Sequence, residues 1–201
     1  MPIPESSTAY YLKNQLDNII DHFATLKNPT DTDLAGVAVA ASVQAGIDKY
    51  RAAAANMSLD QLEEEKHDSD RLARHLMVAT GRSRPPARCH AHAIISGGHK
   101  EAAKLRAVLA WLKMRIDDPD NGCWLPENTA ATPHPLFRNA VPHSRIHRHN
   151  YYRWLQTIIT MQNMKTQSRL RMALKLIGRQ LQDHTFPPDI MLPKGRGEFS
   201  R

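Results

Sequence analysis

Leu12, Leu16, Ile19, Phe23 and Leu26 recur at spacings of four and three. That period predicts a helix with one apolar face near the N-terminus, closed by Asn28-Pro29. A second, alanine-rich helix is predicted over about Asp31 to Ala55. A third starts near Ser58, where Ser58 and Gln61 fit a capping box and Leu62, Leu72 and Leu76 form the buried side. Gly81 to Arg88 is basic and holds two prolines, which marks a linker. Beyond it the period changes. CHAHAIIS, ended by Gly97-Gly98, predicts a short strand, and His99 to Arg115 a helix with Ala103, Leu105, Val108, Leu109 and Leu112 apolar. The run DDPDNG at 117–122 is a strong turn signal, followed by a second short strand over Cys123 to Pro126. After a proline-containing loop at 127–142, a helix is predicted from near His143 through NYYRWLQTIITM. A last helix over about Lys165 to Leu181 carries Leu170, Leu174, Ile177 and Leu181 on one face, and an extended tail follows. The pattern describes a helical region at 1–80, an α+β core at 82–165, and a C-terminal helix and tail at 166–201.

With 41% hydrophobic and 23% charged residues, the 201-residue chain has the composition of a soluble globular protein. No apolar run reaches the roughly 20 residues that cross a bilayer. The N-terminus lacks the basic and apolar regions of a cleaved signal peptide. The net charge of +7 is unevenly spread. Residues 1–80 carry 7 Lys/Arg against 12 Asp/Glu, and residues 81–201 carry 20 against 8. A basic C-terminal part suits a polyanionic partner, nucleic acid or an acidic membrane surface. Cys89 and Cys123 belong to no CxxC pair, so they read as reduced, partly buried thiols.

The distinctive feature is histidine. His90, His92, His99, His134, His143, His147 and His149 fall within 60 residues. On a helix, His143 and His147 would share one face about 6 Å apart, close enough to hold one metal ion. His92 lies on the first predicted strand and Asn121 in the turn before the second. His99 reads as a capping residue or a phosphate contact, and Trp124 and Trp154 as core. Residues 1–80 show no catalytic constellation.

Three stretches in order carry a resemblance: AHAIIS at 91–96, AAKLRAVLAWLKMRIDDPDNGCWLP at 102–126, and HSRIHRHNYY at 143–152. Together they resemble the AHH family, a branch of the HNH/endonuclease VII nucleases found as toxin domains of bacterial polymorphic and secreted effectors. The resemblance covers about a third of the chain. It implies a mostly helical α+β fold, with a ββα-metal core of short strands flanked by helices, and hydrolysis of DNA phosphodiester bonds. It implies that His92, His143 and His147 bind a divalent metal (Mg²⁺, Zn²⁺ or Ni²⁺) and that Asn121 orients the general base. That base belongs at position 93, where this chain has Ala93. Either a natural relative has lost activity or a His-to-Ala change has disabled an active enzyme; the second is preferred because every other element is in place. An alanine there also has no evident packing purpose. His90, three residues away, falls on the opposite strand face from 93 and is not read as a substitute.

Arg145, Arg148 and Arg153 flank the paired histidines and are read as contacts to a DNA backbone. The resemblance further implies a cognate, acidic immunity protein and a secretion-system or carrier component. The protein would be made in the bacterial cytoplasm, secreted or injected, and act in the cytoplasm of a target cell. Against this stand two non-enzymatic readings. One is a nucleic-acid-binding or metal-stabilised module; the other is an interaction protein that works through its N-terminal helices.

Overall fold

The structure, a computed structural model, describes residues 13–85 and 88–200. Leu12 and the N-terminal segment searched for a leader lie outside the described residues. Seven α-helices and one antiparallel hairpin make up the main elements among them: α1 (Gln15–Thr25), α2 (Asp31–Ala53), α3 (Leu59–Glu63), α4 (Ser69–Thr80), β1 (Cys89–Ala93), α5 (Ala103–Trp111), β2 (Gly122–Pro126), α6 (His149–Ile158) and α7 (Gln167–Asp183). No described helix is long and apolar enough to cross a membrane.

The hairpin is the centre of the fold. β1 pairs with β2 in the register His92 to Cys123 and Ala93 to Gly122. One face of the hairpin is covered by α4, which brings Leu72, Ala73 and Leu76 onto Cys89, Ala91, Ala93 and Trp124. α7 lies on β2 through its apolar face of Leu170, Leu174, Ile177 and Leu181. It approaches closely because Gly178 has no side chain: a Cβ there would sit 3.3 Å from that of Cys123. Ile94, Ile95, Leu105, Leu109, Leu125, Tyr151 and Leu155 fill the main core between α5, α6 and α7. Trp124 and Trp154 are buried, as their sequence context predicts. α1 and α2 pack on each other at the periphery, and α1 buries no residue.

Three expectations are corrected. The third predicted helix is two helices. α3 has the Ser58/Gln61 capping box, but α4 starts afresh from Asp68, whose side chain accepts from the amides of Asp70 and Arg71. The break is enforced from a distance, because the amide of Asp68 donates to Asp117 Oδ2 at 3.0 Å. The helix expected from His143 begins only at His149. His143–Arg145 form one 3-10 turn, and His147 takes a left-handed conformation with φ 62°. The Ser144 amide is tied to the Glu127 carbonyl at 3.2 Å and Ile146 is buried, so the chain bends to satisfy the core. The tail is not simply extended: it turns through Pro188–Met191 and is docked. Phe186 and Ile190 are buried, and Asn150 Nδ2 donates to the carbonyls of Asp189 (3.0 Å) and Arg196 (2.7 Å).

The turn before β2 is held by charge. Asp118 and Asp120 accept from Arg51 of α2 and Arg171 of α7, at 2.7–3.1 Å. The two helices thereby fix the point at which the chain enters β2.

Candidate metal centre

His92 sits on β1 facing the turn at 143–147 and is fully buried. His143 and His147 converge on it. Ring centroids are 5.1 Å apart for His92–His143, 4.7 Å for His92–His147 and 5.2 Å for His143–His147. One ring nitrogen from each lies within 4.8 Å of the others. The spacing expected of an i,i+4 pair is thus reached without a helix: a tight turn, and not a helix face, brings His143 and His147 together.

Each imidazole is braced through one nitrogen. Tyr151 Oη donates to the Ile94 carbonyl at 2.9 Å, so its only proton is used. His92 Nε2, 3.2 Å from that oxygen, must therefore be the donor. This fixes a neutral tautomer whose Nδ1 carries the lone pair. His92 Nδ1 is buried with no hydrogen-bond partner among the described residues. His147 Nδ1 lies 2.6 Å from Tyr152 Oη, and His143 Nδ1 lies 3.1 Å from His90 Nδ1. Each ring keeps its second nitrogen.

The rings are also uncharged at neutral pH. Burial, then the imidazoles of His147 and His143, hold His92 well below the ordinary histidine range. Burial likewise pulls His143 and His147 down to about 4. Three neutral imidazoles around a buried, partnerless nitrogen fit a divalent cation, and outer hydrogen bonds of this kind orient metal-binding histidines. Imidazole ligands suit zinc or nickel better than magnesium.

The other expected site residues are placed differently. The Asn121 side chain is bonded to backbone groups. Its Oδ1 accepts from the Ile95 amide at 2.9 Å, and its Nδ2 donates to the carbonyls of Ile95 (3.1 Å) and Ile116 (2.8 Å). It is a strut between the two ends of the hairpin, with both amide protons spent on backbone. Ala93 does have a packing environment: its methyl is buried with Leu72, Leu76 and Trp124 while also bordering the cavity beside the histidines. Arg145 is exposed on the His143 turn. Arg148 donates to the Met191 carbonyl at 3.2 Å, and Arg153 lines a separate cavity with Leu59, Trp111 and Met161. None of the three borders the histidine cavity. His99 caps a short 3-10 turn, accepting from the Glu101 amide, and stacks on Tyr152. Cys89 and Cys123 are buried free thiols; burial pushes Cys89 up to about 11 and Cys123 higher still.

The cavity itself, about 420 Å³, opens beside His143, His147 and His90 and is bordered by Ala93 and Ser96. Three further residues border it that sequence reasoning missed: His67, Ser69 and Arg84. His67 and Ser69 come from the region that shows no constellation along the chain, and Arg84 from the linker. The closest thing to a signal is Gly97, whose missing side chain admits the His67 segment.

No curated protein and no solved structure matched the chain. A family did, over residues 73–181: AHH, described as a nuclease family of the HNH/ENDO VII superfamily with conserved AHH. The match is wider than the 91–152 stretch and takes in the end of α4 and most of α7, the helices that pack on the hairpin. HNH/ENDO VII nucleases are metal-dependent, in keeping with a trio of histidines spaced to bind an ion. With just over half its length matched, and the hairpin and convergent histidines in place, the chain belongs to the AHH nuclease family of the HNH/ENDO VII superfamily.

Proposed function

We propose that this protein is a metal-dependent endonuclease that hydrolyses phosphodiester bonds of DNA, with His92, His143 and His147 holding one divalent ion. The observation that carries this is the buried, partnerless His92 Nδ1 among three neutral imidazoles. A bound ion supplies Lewis-acid polarisation of the scissile phosphate and charge stabilisation at the leaving oxygen. The chain's own part is to keep the three rings neutral and oriented. Tyr151 and Tyr152 brace His92 and His147, and His90 braces His143. Arg84 at the cavity rim offers a phosphate contact in place of Arg148 and Arg153. The excess of 20 Lys/Arg over 8 Asp/Glu in residues 81–201 supports a polyanionic substrate.

Zinc or nickel is the ion the ligand set favours, with magnesium next. Resemblance to effector nucleases supports an antibacterial toxin delivered by a secretion system and neutralised by an acidic immunity protein that covers the basic cleft. Ala93 removes the base that the strand would supply. Ala93→His, which puts that base back on the strand, is expected to cleave plasmid in the presence of metal. The burial of Ala93 against Leu72 and Leu76 favours a second reading, a metal-stabilised binding module. Absence of cleavage by both the present chain and Ala93→His, with an ion bound, would establish the second reading and sink the first.

A further inference from the structure

We propose that His67, oriented by Asp117, is the proton acceptor for the attacking water in this chain, taking the task that Ala93 leaves vacant on β1. The proposal rests on the nuclease reading above and names a catalytic residue outside the three-histidine cluster.

His67 lies in the break between α3 and α4 and is clamped from two sides. On one side, a Cβ added at Gly97 would be 2.9 Å from both the amide nitrogen and the Cβ of His67, so only glycine permits this approach. On the other, His67 Nδ1 is 2.5 Å from Asp117 Oδ1. Asp117 is fully buried and cannot swing away. Its other oxygen accepts from Arg71 Nε at 2.7 Å and the Asp68 amide at 3.0 Å, and its carbonyl lies 2.6 Å from His75 Nδ1. A carboxylate accepts only, so in the neutral ring Nδ1 is the donor and Nε2 carries the lone pair.

The ring is 27% exposed and borders the same cavity as His143, His147 and Ala93. Around it stand Asp117 and Arg71 on the buried side, and Arg84, His90, His143 and His147 along the cavity. An imidazole held through Nδ1 by a buried carboxylate, on a residue that borders the site cavity, is the arrangement of a general base and its orienting partner. Anchoring alone does not account for it, because Arg71 and the Asp68 amide already secure Asp117.

In the step assigned to His67, one O–H bond of the water breaks and its proton passes to Nε2. The water oxygen forms a bond to phosphorus as the P–O bond to the leaving oxygen breaks. The leaving oxygen takes a proton from solvent, and the imidazolium returns one. One water is consumed and nothing is oxidised or reduced.

The test uses the full chain, supercoiled plasmid, and Mg²⁺ or Ni²⁺. The unsubstituted protein should nick DNA, and His67→Gln should lower the single-turnover rate at least roughly 100-fold while ion binding and melting temperature hold. Imidazole in the buffer should restore cleavage by His67→Gly relative to the unsubstituted protein in the same buffer, which a structural role would not produce. Independently of activity, nitrogen NMR at pH 8 should find His67 with the proton on Nδ1. Cleavage by His67→Gln at the original rate overturns the proposal, as does a proton on Nε2. If only Ala93→His cleaves, the nuclease reading stands and the His67 assignment falls. If neither cleaves nor binds an ion, both fall.

Discussion

Asn121→Ala separates a strut from a catalytic side chain. The substitution strands the Ile95 amide and the carbonyls of Ile95 and Ile116, and both isoleucines are buried. At about 1 kcal/mol for each bond, with an extra penalty for a buried unpaired N–H, the loss comes to about 3–5 kcal/mol. For a chain of this size that lowers the melting temperature by roughly 10 °C. The damage should also reach the histidines. Ile94 and Ile95 follow β1 directly, and the Ile94 carbonyl holds the Tyr151 hydroxyl that braces His92. Urea unfolding should show the stability loss, and calorimetric titration with Zn²⁺ should show weakened binding. Asn121→Asp preserves shape but turns an acceptor toward two carbonyls, so it should cost at least as much. A loss below about 1 kcal/mol in Asn121→Ala, together with a fall of about 100-fold in cleavage, would refute the strut and restore a catalytic role.

Without metal, stability should fall as the pH drops from about 6.5 toward 4. Over that window the unfolded chain takes up protons that His143 and His147, held down at about 4, refuse in the fold; His92 acts in the same direction. Denaturant unfolding at pH 7.5 and pH 5 measures it; a saturating divalent ion should raise stability at pH 7.5 and lose that advantage at pH 5, where protons compete for the ligands. Gly97→Ala should destabilise by about 1–3 kcal/mol through its clash with His67, whereas Gly98→Ala, with nothing within 4 Å of the added methyl, should cost less than about 1 kcal/mol. Equal losses in the two thermal melts would contradict the close approach of the two loops.

What the sequence determined by itself was local. The alternation in CHAHA, the DDPDNG turn and the strand CWLP specify a hairpin, and the periodic leucines of α7 specify the face that covers it. Capping at Ser58 and the burial of Trp124 and Trp154 follow from neighbouring residue types. The histidine trio was legible because its members lie near recognisable elements. The reason they meet was not, since a 3-10 turn and a left-handed His147 replace the expected helix. Those features answer to tertiary partners, the Glu127 carbonyl 17 residues back and the Tyr152 hydroxyl on α6. Distance along the chain also hid the rest. Asn121 spends its amide on Ile95, 26 residues earlier; Ala93 is buried by α4; and His67 meets Asp117 across 50 residues. Periodicity reports which face of an element is apolar, but which side chain stands opposite is settled only when helices from both ends of the chain close over the hairpin.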